Sequence, residues 1–338
     1  MFLKNFWYVA AAEDEVRRAP LGREICGEPV VLWRQADGTA VALSDRCPHR
    51  RFALSKGKLV GDDIQCGYHG MRFDGAGACT HVPGQANIPP RLSGRCYPVV
   101  ERHRWVWIWM GDVEAADPDL IPDYHWNDAA GWAPVSGKLT FQAHYQLLVD
   151  NLLDLTHETY VHAATIGNQA VAETPMETFV DGDEVRIERL MNDCTPPPLF
   201  KKARGFTTNI DRWQKIRYAP PANIWIDAGG APAGTNDMDR ALRWMVLNAI
   251  TPENDHSTHY FWSVSRCFSL DDDEIGELIR QQIINTFEED RDILETQQRL
   301  IETDAPGKAL MSVNCDAGNV AARRIVDRLI KAELETAA

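Results

Sequence analysis

Two short segments, Cys47-Pro-His49 and Cys66-Gly-Tyr-His69, constrain this chain more than anything else in it. Each sets one thiol and one imidazole in a tight loop, and sixteen residues separate the two loops. They lie among strand signals. Apolar runs at 29–34 and 40–45 flank Gln35-Ala-Asp-Gly38, which reads as a hairpin. Residues 71–73 lead into the Asp74-Gly75 turn, and 96–101 with 105–110 read as a further strand pair. Trp105, Trp107 and Trp109 alternate and so share one face of a strand. Four donors of this kind suit a structural zinc, or a [2Fe–2S] cluster in which two histidines replace two cysteines on one iron. The mixed Cys/His pairs favour the cluster, as do Pro48 and Gly67, which allow backbone amides to reach sulfur. Arg50 would favour the reduced form, and Tyr68 offers a hydrogen bond to a ligand or sulfide.

A second stretch is residues 149–162, VDNLLDLTHETYVH, where ionisable groups crowd an apolar segment. Buried ionisable groups are costly unless paired or metal-bound, which marks a metal-binding core segment. Asp154 and His157 are three apart and share a helix face. His157 and His162 are five apart, roughly 140° around an ideal helix. For both to reach one metal, the helix must end or distort near 156–160. Two unrelated histidines in a core helix are the alternative.

With 338 residues, 44% hydrophobic and 25% charged, the chain has the make-up of a two-domain globular protein. A net charge of −14 argues against nucleic acid. No apolar run approaches the ~18 residues of a membrane span, and the N-terminal stretch lacks the apolar core of a secretory signal, so a cytoplasmic home is expected. The eight cysteines are irregularly spaced and read as free or metal-bound thiols rather than disulfides. Cys79 and Cys96 have no partner pattern and read as plain buried thiols.

The pair Cys47-x-His49 and Cys66-x-x-His69 resembles a Rieske centre, and Asp154-x-x-His157 followed by His162 resembles the mononuclear iron site of the Rieske non-haem iron oxygenases. The order and separation of the motifs fit as well. So do the opening Asn5-Phe-Trp-Tyr-Val-Ala10, the strand around Trp105 to Asp112, and Asp316-Ala-Gly with Arg323-Arg324 near the end. Within the family the likeness is to oxygenase components of the vanillate O-demethylase type, near the dicamba demethylase and toluenesulfonate methyl-monooxygenase branches. The resemblance implies that Cys47 and Cys66 bind one iron of the cluster and that His49 and His69 bind the other. It implies that His157, His162 and a late-helix carboxylate bind a single Fe(II). Asp290 best matches the carboxylate in the run Glu288-Glu289-Asp290-Arg291-Asp292, with Glu289 and Asp292 as alternatives. Asp154 would bridge to His69 of a neighbouring subunit in a head-to-tail homotrimer, because the two irons of one chain lie too far apart for fast electron transfer. A plain orienting role for Asp154 beside His157 is the alternative.

A domain boundary is expected in the Asp- and Pro-rich segment 111–127, giving a Rieske domain at 1–115 and a catalytic domain at 116–338. Strand patterns follow at 176–180, 184–191, 212–218, 223–228, 241–250 and 259–266, then helices at 272–302 and 318–335. Strands followed by helices indicate an α+β fold. The resemblance implies an antiparallel β Rieske domain, then an antiparallel sheet wrapped around a long helix in helix-grip fashion. Residues 196–204 read as a mobile loop over the pocket, and His81, His103, His125, His144, His256 and His259 as ordinary histidines.

The expected activity is O-demethylation of a methoxylated, vanillate-like aromatic acid with O2, releasing formaldehyde. Electrons come from NADH through a separate flavin/iron-sulfur reductase, since no nucleotide-binding Gly-rich motif is evident here. Methyl hydroxylation of an aryl sulfonate is the alternative. An electron carrier without an oxygenase site and a zinc-binding module are the competitors from other classes. The resemblance sets Asn248 where the dicamba branch has a carboxylate-binding histidine, which implies that dicamba is an unfavourable substrate. Arg204, Arg217 and Arg243 are the candidates to meet a substrate carboxylate.

Overall fold

Alternation builds the N-terminal sheets, and one strand is apolar on both faces. The computed structural model describes residues 1–235, 237–305, 308 and 310–337. Its first strands are β1 (Trp7–Ala12), β2 (Leu21–Ile25), β3 (Glu28–Arg34), β4 (Ala40–Ser44), β5 (Lys58–Val60) and β6 (Asp63–Gln65). β7 (Arg72–Phe73), β8 (Cys79–His81), β9 (Cys96–Tyr97), β10 (Val99–Arg102) and β11 (Trp105–Trp109) follow. They form three sheets, ordered β1-β11-β10, β2-β3-β4-β9 and β5-β6-β7-β8. On β3, Val30 and Leu32 face one core while Val31 and Trp33 face a second, which also holds Cys47 and Cys66. Burying each such side chain contributes about 1.5–3 kcal/mol. The expected hairpin forms, with Arg34 opposite Ala40 and Gly38 at φ 95° in the turn.

The single strand expected over 96–101 is two strands in different sheets. β9 pairs with β4 and β10 with β11. Pro98 between them has no N–H to give a ladder, so continuous pairing stops there.

The chain divides into two units. One is Met1–Ile121 with Thr251–Asp255; the other is Pro122–Ile250 with His256–Ala338. The division thus falls after 121 rather than 115, beyond two 3-10 turns (Val113–Ala115 and Pro118–Leu120) capped by Asp112 and Asp117. The second unit contains β12 (Ala133–Phe141), α1 (Tyr145–Leu153), α2 (Glu158–Val161), α3 (Gln169–Glu173), β13 (Glu177–Asp181) and β14 (Glu184–Cys194). After these come α4 (Pro198–Arg204), β15 (Ile210–Ala219), β16 (Asn223–Pro232), β17 (Leu242–Asn254, whose residues from Thr251 on count with the first unit), β18 (Ser257–Arg266), α5 (Asp273–Thr303) and α6 (Ala317–Ala337). Seven strands make one antiparallel sheet in the order β12-β18-β17-β16-β15-β14-β13.

α5 begins where Asp272 accepts a hydrogen bond from the Ile275 amide, as an N-cap should. Ile279, Ile283, Phe287 and Leu294 form its buried stripe at helical spacing. Phe287 packs its ring 4.9 Å from that of Tyr260 and 5.5 Å from that of Trp262, both on β18. The α+β architecture with a sheet around a long helix is therefore the one expected. Within the loop expected over 196–204, residues 198–204 form a helix: α4 starts with Pro198 at its first turn and ends at Gly205 in the left-handed region (φ 71°). Its Leu199 and Phe200 are buried, which anchors the segment. Among the described residues no helix is long and apolar enough to cross a membrane.

Candidate metal centres and their cavity

The two Cys–His loops are built alike. The Arg51 amide donates to the Cys47 carbonyl (2.8 Å), and the Gly70 amide donates to the Cys66 carbonyl (3.1 Å). Each loop closes through a residue in the left-handed region, Arg51 at φ 60° and Gly70 at φ 72°. Both cysteines are buried, and the backbone amides of His49 and Arg50 point at the Cys47 sulfur. Burial pushes the Cys47 thiol up, and the adjoining Cys66 adds to this; a cation between them would reverse both effects. The His49 and His69 rings lie 4.8 Å apart, and His49 Nδ1 is a buried nitrogen without a hydrogen-bond partner. An orphaned ring nitrogen beside two buried thiols fits a metal cluster. Tyr68 is exposed and lies with its ring 3.8 Å from that of His69.

In the second unit the expected helix break occurs at Asp154, two residues earlier than the 156–160 window. Asp154 is extended (φ −127°, ψ 92°), and its carboxylate accepts from the Thr156 amide to cap a 3-10 turn over Leu155–His157. α2 then runs four residues and ends at His162. This brings together residues that a straight helix would hold apart. His157, His162 and Asp290 present donor atoms within 4.8 Å of one another. Asp290 Oδ1 lies 3.1 Å from His162 Nε2 and 3.5 Å from His157 Nε2. Ligands about 2.1 Å from one ion at right angles would stand about 3 Å apart.

Both outer ring nitrogens are held. His157 Nδ1 lies 2.7 Å from the Asp154 carbonyl oxygen, and His162 Nδ1 lies 2.7 Å from Glu289 Oε2. With Nδ1–H donating, each Nε2 keeps a lone pair for an ion that Asp290 would share. Burial lowers the His162 pKa, but hydrogen bonds with Asp290 and Glu289 outweigh it, so the ring is more basic than usual. Asn151 Nδ2 donates to Asp290 Oδ1 at 3.1 Å. Two imidazoles and one carboxylate on one side of a cavity fit an ion that keeps open positions. Of the alternatives to Asp290, Glu289 is the outer partner of His162, and Asp292 is exposed.

These three residues line a narrow cavity of about 60 Å³ that opens toward solvent. Ile226, Ala228, Trp244 and Val246 of the sheet, Phe200 of α4 and Ile283 of α5 give it apolar walls. Asn248 is not among them. Its amide donates to the Ile224 carbonyl and its oxygen accepts from Tyr260 OH at 2.6 Å, so hydrogen bonds within the sheet occupy it. Nor does the cavity reach the three arginines expected to meet a carboxylate. Arg204 bonds the Ala241 and Asp239 carbonyls, Arg217 pairs with Glu184 and Arg243 with Asp227. The sequence reading missed a buried polar cluster in the wall: Glu158, Arg212 and Gln214. A usable signal existed, because Ile210, Arg212, Gln214, Ile216 and Tyr218 share the inward parity of β15.

A sulfur-and-imidazole cluster site together with a separate two-histidine, one-carboxylate site is the equipment of an iron-dependent oxygenase. Residues 6–98 match the Rieske [2Fe-2S] domain, and residues 141–332 match the vanillate O-demethylase oxygenase C-terminal domain. The chain belongs to the Rieske non-haem iron oxygenases, in the vanillate O-demethylase oxygenase branch. It is 41% identical over 350 residues to the vanillate O-demethylase oxygenase subunit of Pseudomonas sp. (strain HR199 / DSM 7063), covering 100% of this chain and 97% of that one. It is 39% identical over 344 residues to the iron-sulfur subunit of the toluene-4-sulfonate monooxygenase system of Comamonas testosteroni, covering 98% of each. Dicamba monooxygenase bound to 3,6-dichlorosalicylic acid superposes with a TM-score of 0.94 at 36% identity, over 98% of this chain and 99% of that one. The same enzyme with non-haem iron and dicamba gives a TM-score of 0.86 at 34% identity, over 99% of each chain. The cofactors are accordingly a Rieske [2Fe–2S] cluster and a mononuclear iron, and an oxygenase component of this kind works with a reductase.

Proposed function

We propose that this protein O-demethylates a methoxylated, vanillate-like aromatic acid in the cytoplasm, with electrons passed from NADH through a flavin/iron-sulfur reductase. The observation that carries this is the apolar cavity that opens onto His157, His162 and Asp290. In this reading Cys47 and Cys66 hold one iron of the cluster, His49 and His69 the other, and the triad holds the single iron. Loaded, the two centres supply stored electrons and dioxygen reduction.

The chain's own residues do the rest. Glu289 and the Asp154 carbonyl fix the two ring orientations. Ile226, Phe287 and the α4 side chain Phe200 keep water from the reacting carbon and hold the ring flat. The methoxy carbon faces the triad and is oxidised to a hemiacetal, which falls apart. In sum, ArOCH3 + O2 + 2 e⁻ + 2 H⁺ gives ArOH, formaldehyde and water. Methyl hydroxylation of an aryl sulfonate is the second reading, supported by the toluene-4-sulfonate relative.

Asp154 bridges to His69 of a neighbouring subunit in a homotrimer in this reading. Asp154→Asn should keep both metal centres yet slow reduction of the single iron in single turnover; unchanged rates remove the bridge. The reaction itself is tested by reconstitution with a reductase and a panel of methoxybenzoates. Formaldehyde should appear in step with oxygen uptake. No turnover on any methoxy- or methyl-aromatic acid overturns the proposal.

A further inference from the structure

One guanidinium, that of Arg212, lines the cavity, and part of its donor capacity is unused. Arg189, Arg212 and Glu158 are 3%, 3% and 4% exposed. Two guanidiniums, Arg189 and Arg212, stand with two carboxylates, because Asp154 as well as Glu158 acts on Arg189. Arg189 is spent on neutral acceptors, the Thr174 carbonyl, Thr156 Oγ1 and Gln214 Oε1. Arg212, which lines the cavity, donates from Nη2 to Glu158 Oε2 (2.8 Å) and from Nη1 to Asn168 Oδ1 (3.2 Å). Its Nε is buried and has no hydrogen-bond partner. A guanidinium has five N–H donors in a planar fork, and a buried donor left unmade is costly. Gln214 Nε2 beside it uses one of its two hydrogens on Glu158 Oε1. The triad end is taken up by its own ligand set, so Arg212 is the guanidinium in the cavity lining left to meet an acidic ligand.

We propose that Arg212, with Gln214 beside it, receives the anionic group of the aromatic substrate and makes the enzyme selective for aryl acids. The inference rests on the demethylase reading for the identity of the ligand, but its test does not depend on turnover. Carboxylate and sulfonate share the required chemistry, a delocalised oxyanion that a guanidinium can fork.

The test is anaerobic calorimetry on the iron-loaded protein with 3-methoxybenzoate, its neutral isostere 3-methoxybenzamide, and 3-methoxybenzenesulfonate. The wild type should bind the carboxylate about 10–100-fold more tightly than the amide, the range for hydrogen bonds to a charged group. Arg212→Gln combined with Glu158→Gln removes both charges together and avoids stranding a buried carboxylate. This variant should bind acid and amide within about twofold of each other, with amide affinity kept. Arg212→Lys, which keeps the charge and loses the fork, serves if the paired variant fails to fold, and should show an intermediate preference. A wild type without acid preference overturns the proposal, as does a variant that keeps the preference or loses both ligands equally. Sulfonate binding as tight as carboxylate, lost in the same variant, supports it and identifies the alternative head group. Acid preference without turnover on any aryl acid leaves the anion site standing and removes the demethylase reading. Turnover of acids with preference intact in the variant does the reverse.

Discussion

Glu289 should set the affinity of the single-iron site without being a ligand. Its carboxylate takes the Nδ1 proton of His162 at 2.7 Å, which leaves Nε2 free and aimed at Asp290. Losing such an outer partner costs about 10–100-fold in metal affinity, or about 1.4–2.7 kcal/mol at 1.36 kcal/mol per decade. His162 is 1% exposed but the Glu289 side chain is 36% exposed, so solvent can partly replace it. The lower end therefore applies: Glu289→Ala should weaken metal binding about tenfold. Glu289→Gln keeps an acceptor but not the charge, and should lose less. His157 differs, because its outer partner is the Asp154 backbone carbonyl, which no side-chain change deletes. The assay is anaerobic Co(II) or Fe(II) competition against a chelator, with the cluster's visible spectrum as the control. Affinity in Glu289→Ala within twofold of wild type would refute the reasoning. Loss of the cluster signal together with the metal would show general damage instead.

Asp290→Asn should lower iron from three per chain to two and leave the reduced-cluster EPR signal unchanged; metal analysis and EPR check this together. Gly167→Ala should destabilise the turn after His162, because a Cβ there would sit 2.0 Å from the Glu158 carbonyl oxygen. Overpacking of this kind costs about 1–3 kcal/mol, a melting shift of several degrees in a differential scan. Glu28 accepts from Lys4 (2.8 Å), Arg95 (2.9 Å) and Tyr97 (2.7 Å). Burial works to raise its pKa, but these bonds and the two cations bring it below the ordinary 4.5. A depressed carboxylate stabilises the fold above that ordinary value and loses the contribution as pH falls through its folded pKa. Urea midpoints of wild type should therefore fall below about pH 4.5, and those of Glu28→Gln should fall less over the same range.

Several elements could be read from spacing alone. The period of Ile279, Ile283 and Phe287, with Asp272 in front, marks α5 almost to its ends, because a long amphipathic helix with an N-cap has no competing solution. The two Cys–His loops were equally legible, since their donors come from adjacent residues and depend little on distant packing. What was hidden involved residues whose role depends on the facing element. Residues 198–204 contain two lysines and follow a run of prolines, so they look like a surface loop until Leu199 and Phe200 are seen buried. Position in the strand marks Asn248 as a substrate contact, but Tyr260 on the neighbouring strand takes up its side-chain oxygen. Charge alone makes Arg217 a candidate, yet on β15 it has the parity of Asp211, Trp213 and Lys215, opposite to the buried set.

The short turn at Asp154 is the step that joins sequence to chemistry. Had α1 continued, His157 and His162 would point about 140° apart, and no single carboxylate on α5 could meet both. The break costs the helix hydrogen bonds, and Asp154 offsets this twice. Its side chain accepts from the Thr156 amide at 2.9 Å, and its carbonyl accepts from His157 Nδ1 at 2.7 Å. The same residue thus stops the helix and sets the tautomer of the first imidazole. Because these are different atoms, Asp154→Asn can keep the cap and the carbonyl while changing only the charge. If Asp154 is the proposed bridge, this substitution separates electron delivery from metal binding, whereas a substitution at His157 alters both.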